Sequence, residues 1–233
     1  GSSPDTQTLT RFGKYELLEF LGGGMADVYR ARDTFTNKTV AIKILKPVHA
    51  ADPEFKSRFL DEARTAAPLE NPHIINVFDY GELEGRPYMV MEFLRGRDLK
   101  AYIRDAAGAS IGDKLRIGVQ VATALEYIHS HDIVHRDIKP DNIHVNTSGH
   151  VRIIDFGIAK SNASSTKTRA GFAVGTVAYM APEQLMGQTS KSVDIYAFGL
   201  VLYELLTGIR PVSGDTNEQM YYQILKAPLD LEP

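Results

Sequence analysis

The sequence predicts an α+β chain, with an antiparallel, strand-rich first part carrying one helix and a mostly helical second part. Three observations carry that expectation. Up to about residue 93, β-branched and aromatic residues gather in short runs separated by turn residues. After Gly96, apolar residues recur instead at three- and four-residue steps. The chain has 233 residues, 43% of them hydrophobic, which is enough for one large domain or for two lobes.

Taken in order, Tyr15 to Gly24, Ala26 to Arg32 and Lys38 to Leu45 read as strands, and Pro47 closes the third. Between Pro53 and Ala67 the spacing of Phe55, Phe59, Ala63 and Ala66 predicts a helix capped by Asp52. Ile74 to Tyr80 and Tyr88 to Phe93 are two further strand-like runs. From Asp113 to His131, the residues Leu115, Val119, Ala122, Leu125 and Ile128 form an apolar stripe wide enough to be buried. Ser192 to Thr207 is more apolar still and reads as a central core helix ended by Gly208; Thr216 to Lys226 gives a last amphipathic helix. The change of character places a hinge near Glu92 to Gly96. The expected division is therefore 1–10 as a tag remnant and extension, 11–93 as a first lobe and 94–233 as a second.

Composition excludes several functions. A formal net charge of −3 leaves no basic footprint for nucleic acid. With no cysteine, disulfides and thiolate metal sites are out. No apolar run approaches the roughly 18–20 residues that span a bilayer. The longest, Ala197 to Leu206, is interrupted by Gly199, Tyr203 and Glu204. Gly1-Ser2-Ser3 has neither the basic nor the apolar part of a signal peptide and reads as the scar of a removed tag.

Chemistry concentrates in four places. Leu21-Gly22-Gly23-Gly24-Met25-Ala26-Asp27-Val28 joins two strands, and glycines there let backbone N–H groups approach phosphates without a Cβ in the way. A plain turn is the ordinary alternative. Val40-Ala41-Ile42-Lys43 sets one lysine in an apolar strand, and Glu62 on the following helix is placed to pair with it, holding the ammonium on phosphates. His135-Arg136-Asp137-Ile138-Lys139-Pro140-Asp141-Asn142 is the most informative run. Phosphoryl transfer needs a carboxylate to orient a hydroxyl, oxygen ligands for magnesium and a cation near the moving group. Asp137, Asn142 and Lys139 supply these within six positions. Asp155-Phe156-Gly157 then follows a hairpin and adds a second carboxylate for the metal.

On these residues the chain resembles the eukaryotic-type Ser/Thr protein kinases, most of all their bacterial branch, from about Arg11 to Lys226. Gly175-Thr176-Val177-Ala178-Tyr179-Met180-Ala181-Pro182-Glu183 and Asp194-Ile195-Tyr196-Ala197-Phe198-Gly199 extend the likeness. The first resembles the substrate-docking segment of that family. The second resembles its central helix, whose aspartate braces the catalytic loop.

The resemblance implies a bilobal kinase fold and transfer of the γ-phosphate of ATP to protein Ser or Thr hydroxyls. It makes Asp137 the base, sets Lys139 on the γ-phosphate, pairs Lys43 with Glu62, and gives Asn142 and Asp155 to magnesium, with manganese as an alternative. Leu21, Gly22, Gly23, Gly24, Val28, Ala41, Met91, Glu92, Leu94 and His144 are implied around the nucleotide, with Met91 as gatekeeper. Ala66, Val77, His135 and Phe156 match a stacked spine. Lys139 and Thr176 fit the Ser/Thr-specific pattern. Arg136 before the base implies control by phosphorylation of the following loop, with Thr168 and then Thr166 the favoured sites. Protein substrates and ATP are the partners implied. Some relatives dimerise through the first lobe, and some are the cytosolic part of a membrane-anchored receptor; a cytoplasmic location is the expectation here.

Three features depart from the family. Counted back from Val28, the glycine loop is one residue short, which points to a tighter hairpin or to a residue missing from the sequence. His144 stands where an aliphatic side chain usually underlies the adenine, as a neutral stacking ring or a pH sensor. The chain stops at Pro233, before the helix that pairs the family's equivalent of Glu183, so a truncated second lobe and an unpaired Glu183 are expected. A non-catalytic nucleotide-binding scaffold and a small-molecule kinase of similar fold are the alternatives.

Overall fold

Alternation in the first ninety or so residues produces a single curled sheet. The computed structural model describes residues 10–105, 108–156 and 177–226, and the chain divides into two units, 1–68 with 76–94 and 69–75 with 95–233. In the first unit, β1 (Arg11–Phe12), β2 (Tyr15–Gly23), β3 (Ala26–Asp33), β4 (Thr39–Leu45), β5 (Val77–Leu83) and β6 (Arg86–Glu92) form one antiparallel sheet in the order β1-β2-β3-β4-β6-β5. On β4, Val40, Ile42 and Ile44 join Phe12, Tyr15, Ala31 and Val90 in a buried cluster. The alternate residues Ala41, Lys43 and Leu45 face the other side, because side chains on a strand alternate.

Pro47 does more than close a strand. It opens a one-turn helix, α1 (Pro47–Ala50), where its fixed φ and missing N–H cost nothing. Helix α2 (Pro53–Ala66) starts as the sequence predicts: the Asp52 side chain accepts the Glu54 N–H at 2.8 Å and Pro53 takes the first position. Its buried face is Phe59, Glu62, Ala63 and Ala66, so one carboxylate lies in an otherwise apolar stripe. The strand expected from Ile74 begins only at Val77. Ile74 instead makes a parallel bridge to Ile153 within the second unit.

The second unit holds β7 (Arg97–Asp98), α3 (Leu99–Asp105), α4 (Ile111–Ser130), β8 (Ile143–Val145), β9 (Val151–Ile153), α5 (Pro182–Leu185), α6 (Lys191–Thr207) and α7 (Asn217–Lys226). Strands β7, β8 and β9 make a small antiparallel sheet, and α4 packs on α6. The approach is close: a Cβ on Gly118 would lie 3.0 Å from Leu202. Gly208 ends α6 in the left-handed conformation, with φ of 77°.

The buried face of α4 differs from the predicted stripe. Ile117, Gly118, Val121, Ala124, Leu125 and Ile128 are buried, while Leu115 and Val119 are 47% and 66% exposed and Ala122 is exposed as well. Apolar residues occur on more than one side of this helix, so spacing alone does not select the face. Among the described residues no helix is long and apolar enough to cross a membrane.

Candidate active site

In the first unit, pairing across the sheet gathers the residues expected around a nucleotide. Lys43 on β4 stands opposite both Val28 on β3 and Met89 on β6, and Ala41 stands opposite Met91. Cross-strand partners share a face, so Val28, Ala41, Lys43 and Met91 lie on one side of the sheet. The Lys43 ammonium is 3.4 Å from Glu62 Oε1 and 5.7 Å from the Phe59 ring centroid. Glu62 is 8% exposed, and burial of this kind favours a charge only when a partner is present. At the end of β6, Glu92 donates its N–H to the Asn76 carbonyl at 3.0 Å. The Glu92 carboxylate accepts from the Asn76 backbone and side-chain amides at 2.9 and 3.2 Å. This anchors the backbone that runs on to Leu94.

The glycine segment is a tight hairpin. Gly22 pairs with Val28 and Gly23 with Asp27, which leaves Gly24, Met25 and Ala26 between the paired residues; Leu21 is a bulged residue just before them. The Gly24 N–H donates to the Ala26 carbonyl at 3.1 Å, so one N–H at the tip has an internal acceptor. A side chain at Gly23 is excluded, since a Cβ there would sit 2.6 Å from the Ala26 carbonyl oxygen.

In the second unit, the loop after α4 hangs from Asp194 on α6. This carboxylate is 1% exposed. It accepts the N–H groups of His135 and Arg136, each at 2.8 Å, and meets His129 Nε2 at 2.8 Å. Arg136 is held at φ of 69°, a left-handed conformation costly for a residue with a Cβ; Gln184 Nε2 donates to its carbonyl at 2.9 Å. His135 is fully buried against Phe156, ring centroids 4.9 Å apart. Desolvation holds its pKa below the usual imidazole value, which favours the neutral ring.

The motif residues follow directly. Asn142, itself buried, donates Nδ2 to the Asp137 carbonyl and to Asp137 Oδ2, both at 2.9 Å. Lys139 Nζ lies 3.9 Å from the same Oδ2. With its amide nitrogen so placed, Asn142 keeps its amide oxygen as a ligand atom. The Ile154 N–H donates to the Asn142 carbonyl at 3.0 Å, which brings the start of Ile154-Asp155 beside Asn142. An amide oxygen and a carboxylate are the oxygen donors that a hard divalent cation takes, so the residues present fit one. His144 sits on β8 opposite Arg152 and Asp98.

The family model for the protein kinase domain matches residues 15–231. The chain belongs to the protein kinase family. The kinase domain is 42% identical over 217 residues to the serine/threonine-protein kinase PrkC of Bacillus subtilis, covering 92% of this chain and 34% of that protein. It is 38% identical over 224 residues to PknD of Mycobacterium tuberculosis, with 95% and 34% covered. It thus spans about a third of the length of these curated relatives. Among solved structures, the PknI kinase domain of Mycobacterium tuberculosis matches with a TM-score of 0.69 and 32% identity, covering 87% of this chain and 78% of that one. Rad53 1-466 in complex with AMP-PNP matches at 0.73 and 33%, covering 90% and 53%.

Three of the kinase domain's predicted regulatory residues, Thr166, Thr168 and Thr176, lie outside the described residues, as does Gly157. Glu183 is partly exposed on α5 rather than buried; among the described residues it has no ion pair, and it accepts from the Ser192 hydroxyl at 3.2 Å. Sequence reasoning missed His129 and Gln184, which support the loop after α4 across 65 and 48 residues of chain. It also missed Tyr179, whose hydroxyl donates to Glu204 at 2.5 Å. Burial raises the pKa of both partners of this last pair. No local pattern marks such contacts.

Proposed function

We propose that this domain transfers the γ-phosphate of ATP to Ser or Thr hydroxyls of proteins, and that Asp137 is its base. The observation that carries the reading is the Asp137–Asn142–Lys139 cluster, built on a loop whose backbone is gripped by Asp194. Asp137 orients the substrate hydroxyl and takes its proton as the oxygen attacks the γ-phosphorus. The bond to the bridging oxygen breaks and ADP leaves. Lys139 lies beside the carboxylate, placed for the charge that spreads over the equatorial oxygens. Lys43, held by Glu62, contacts the α- and β-phosphates. The face bearing Val28, Ala41 and Met91 covers the adenine, together with the backbone of Glu92 and Leu94.

A divalent cation on Asn142 and Asp155, magnesium in this reading with manganese also compatible, supplies charge neutralisation on the phosphates. The Ser/Thr class rests on Lys139 and on the names of the relatives. We extend the reading to autophosphorylation at Thr168 or Thr166, and to a cytosolic setting where ATP is available. Phosphate found by mass spectrometry only outside residues 161–176 after incubation with ATP would count against the loop sites.

Radiolabelled ATP with a generic protein substrate tests the central claim. Asp137→Asn should lower transfer by at least about 10²-fold, the low end for removal of a positioned proton acceptor. Labelled phosphate should appear on serine or threonine. Transfer unchanged by the substitution removes the assignment. The tight Gly24 turn favours one competing reading, a nucleotide-binding scaffold without turnover; nucleotide binding with no transfer by the unaltered chain would support that instead.

A further inference from the structure

The second unit has a groove that the transfer reaction does not use. It measures about 850 Å³ and opens between β7 and α3 on one side, the N-terminal half of α4 on another, and the Asn146–His150 turn at its end. Its floor is apolar, made by the buried Ile117 and Val145. Tyr102 forms a wall, with the Arg97 guanidinium 5.1 Å from its ring centroid. This volume lies in the range of ligand pockets, and the groove is about half open to solvent rather than enclosed.

Hydrogen-bonding capacity along the rim is one-sided. Asp113, the only carboxylate among the described lining residues, is already occupied: Oδ2 accepts the Ser110 hydroxyl at 2.6 Å and Oδ1 accepts from Arg116. Arg116 and Arg97 each have five N–H donors, and the hydrogen bonds to Asp113 and to Asp105 engage one N–H each. Their side chains are 71% and 44% exposed, so both ion pairs are of the weakly held surface kind. At the end turn, Asn146 Oδ1 takes the N–H groups of Ser148 and His150 and the Ser148 hydroxyl, leaving the Asn146 amide N–H₂ as a donor beside the exposed Thr147. The rim therefore offers donors, two of them cationic, over an apolar floor.

We propose that this groove docks an acidic–apolar segment of the protein substrates, outside the part of the substrate that carries the phosphorylated hydroxyl. Carboxylates of the segment bridge to Arg97 and Arg116, bidentate where the fork geometry allows, and an aliphatic side chain rests on Ile117 and Val145. β8 begins at the residue after Asn142, so the docking strand and the reactive loop are one continuous stretch of chain. The inference rests on the protein-kinase reading above, since it names how that reading's substrates are held.

A short fluorescein-labelled peptide of alternating glutamate and leucine, titrated by fluorescence polarisation, tests the groove without any transfer step. It should bind saturably, weaken as salt rises from about 50 to 300 mM, and weaken about tenfold in Arg116→Glu and in Arg97→Glu. A lysine–leucine peptide should not bind. Fused to a generic serine substrate, the acidic segment should lower KM about tenfold for the unaltered protein and not for the two variants, with kcat unchanged. Transfer to the unfused substrate should be equal in all three. Equal affinity of the lysine peptide, unchanged affinity in both variants, or displacement of the peptide by inorganic phosphate at similar concentration would each overturn the proposal. Asp137→Asn should bind the peptide as the unaltered protein does. Lost transfer with intact docking thus bears on the reaction, and lost docking with intact transfer bears on the groove.

Discussion

The lysine–glutamate pair of the first unit and the aspartate-hung loop of the second hold their functional groups in different ways. Lys43 meets Glu62 at 3.4 Å, a contact between two side chains on separate elements. Asp194, almost fully buried, makes three contacts of 2.8 Å, two of them to backbone amides. Charge-assisted bonds from main-chain donors are short and fix φ and ψ, here including the left-handed Arg136. A long side-chain pair fixes only a charge. Asp137, the proposed base, thus sits on a loop of fixed backbone, whereas the Lys43 ammonium, at the end of a long side chain, keeps more latitude.

Breaking the locked half should have the largest effect. Asp194→Asn sets an amide N–H₂ against donors that need an acceptor, and should destabilise the second unit by about 3 kcal/mol, with transfer lost. Chemical denaturation read by far-UV circular dichroism measures it; a midpoint close to the unaltered value would refute the locked-loop account. Lys43→Met should separate stability from activity: a change of about 1–2 kcal/mol in stability, with the KM for ATP raised and kcat/KM reduced at least about 10²-fold. Equal losses of stability in the two variants would erase the contrast.

A glycine inserted between Gly22 and Gly23 tests the latitude from the other side. By widening the turn and releasing the Gly24 N–H, it should lower the KM for ATP several-fold, roughly 1 kcal/mol, and leave the unfolding midpoint in place. An unchanged or higher KM would show that the short turn does not limit phosphate binding.

The smallest effect concerns pH. His73 in the second unit has its pKa lowered, first by burial, then by the nearby His150 and Arg152, while the hydrogen bond to the Val151 carbonyl opposes the shift. The unfolded chain then binds the proton more readily, so stability is present above the ordinary value of about 6.5 and falls as pH drops through it. The thermal midpoint should decline between pH 7.5 and roughly 5.5, less steeply in His73→Gln. Identical slopes would remove His73 from the account.

Much of this was legible in the sequence wherever a local cause was at work. Asp52 and Pro53 start α2, Gly208 ends α6, and Val40 to Lys43 reads as one lysine among apolar neighbours. The motif residues Asp137, Lys139 and Asn142 fall within a few ångströms of one another because their spacing is local. Longer-range features were not legible. Leu115 and Val119 resemble core residues as well as Ile117 and Val121 do, and only the position of α6 decides between the two faces. Pro47 carries the same signal whether it ends a strand or begins a helix. Gln184 reaches Arg136 through a fold that no nearby residue announces.

The pairing of β2 with β3 has a mechanical consequence. From Tyr15 to Gly23 nine residues of β2 face the seven residues from Asp27 to Asp33, and Leu18 and Leu21 are the surplus. The hairpin whose tip is short of chain thus carries slack along its length. A residue gained or lost at the tip is absorbed by flattening or raising one of these two kinks, without moving the anchor at Tyr15. Drift in loop length is buffered before it reaches the buried cluster, so this hairpin tolerates a change of length that a straight ladder would pass into the core as a slipped register.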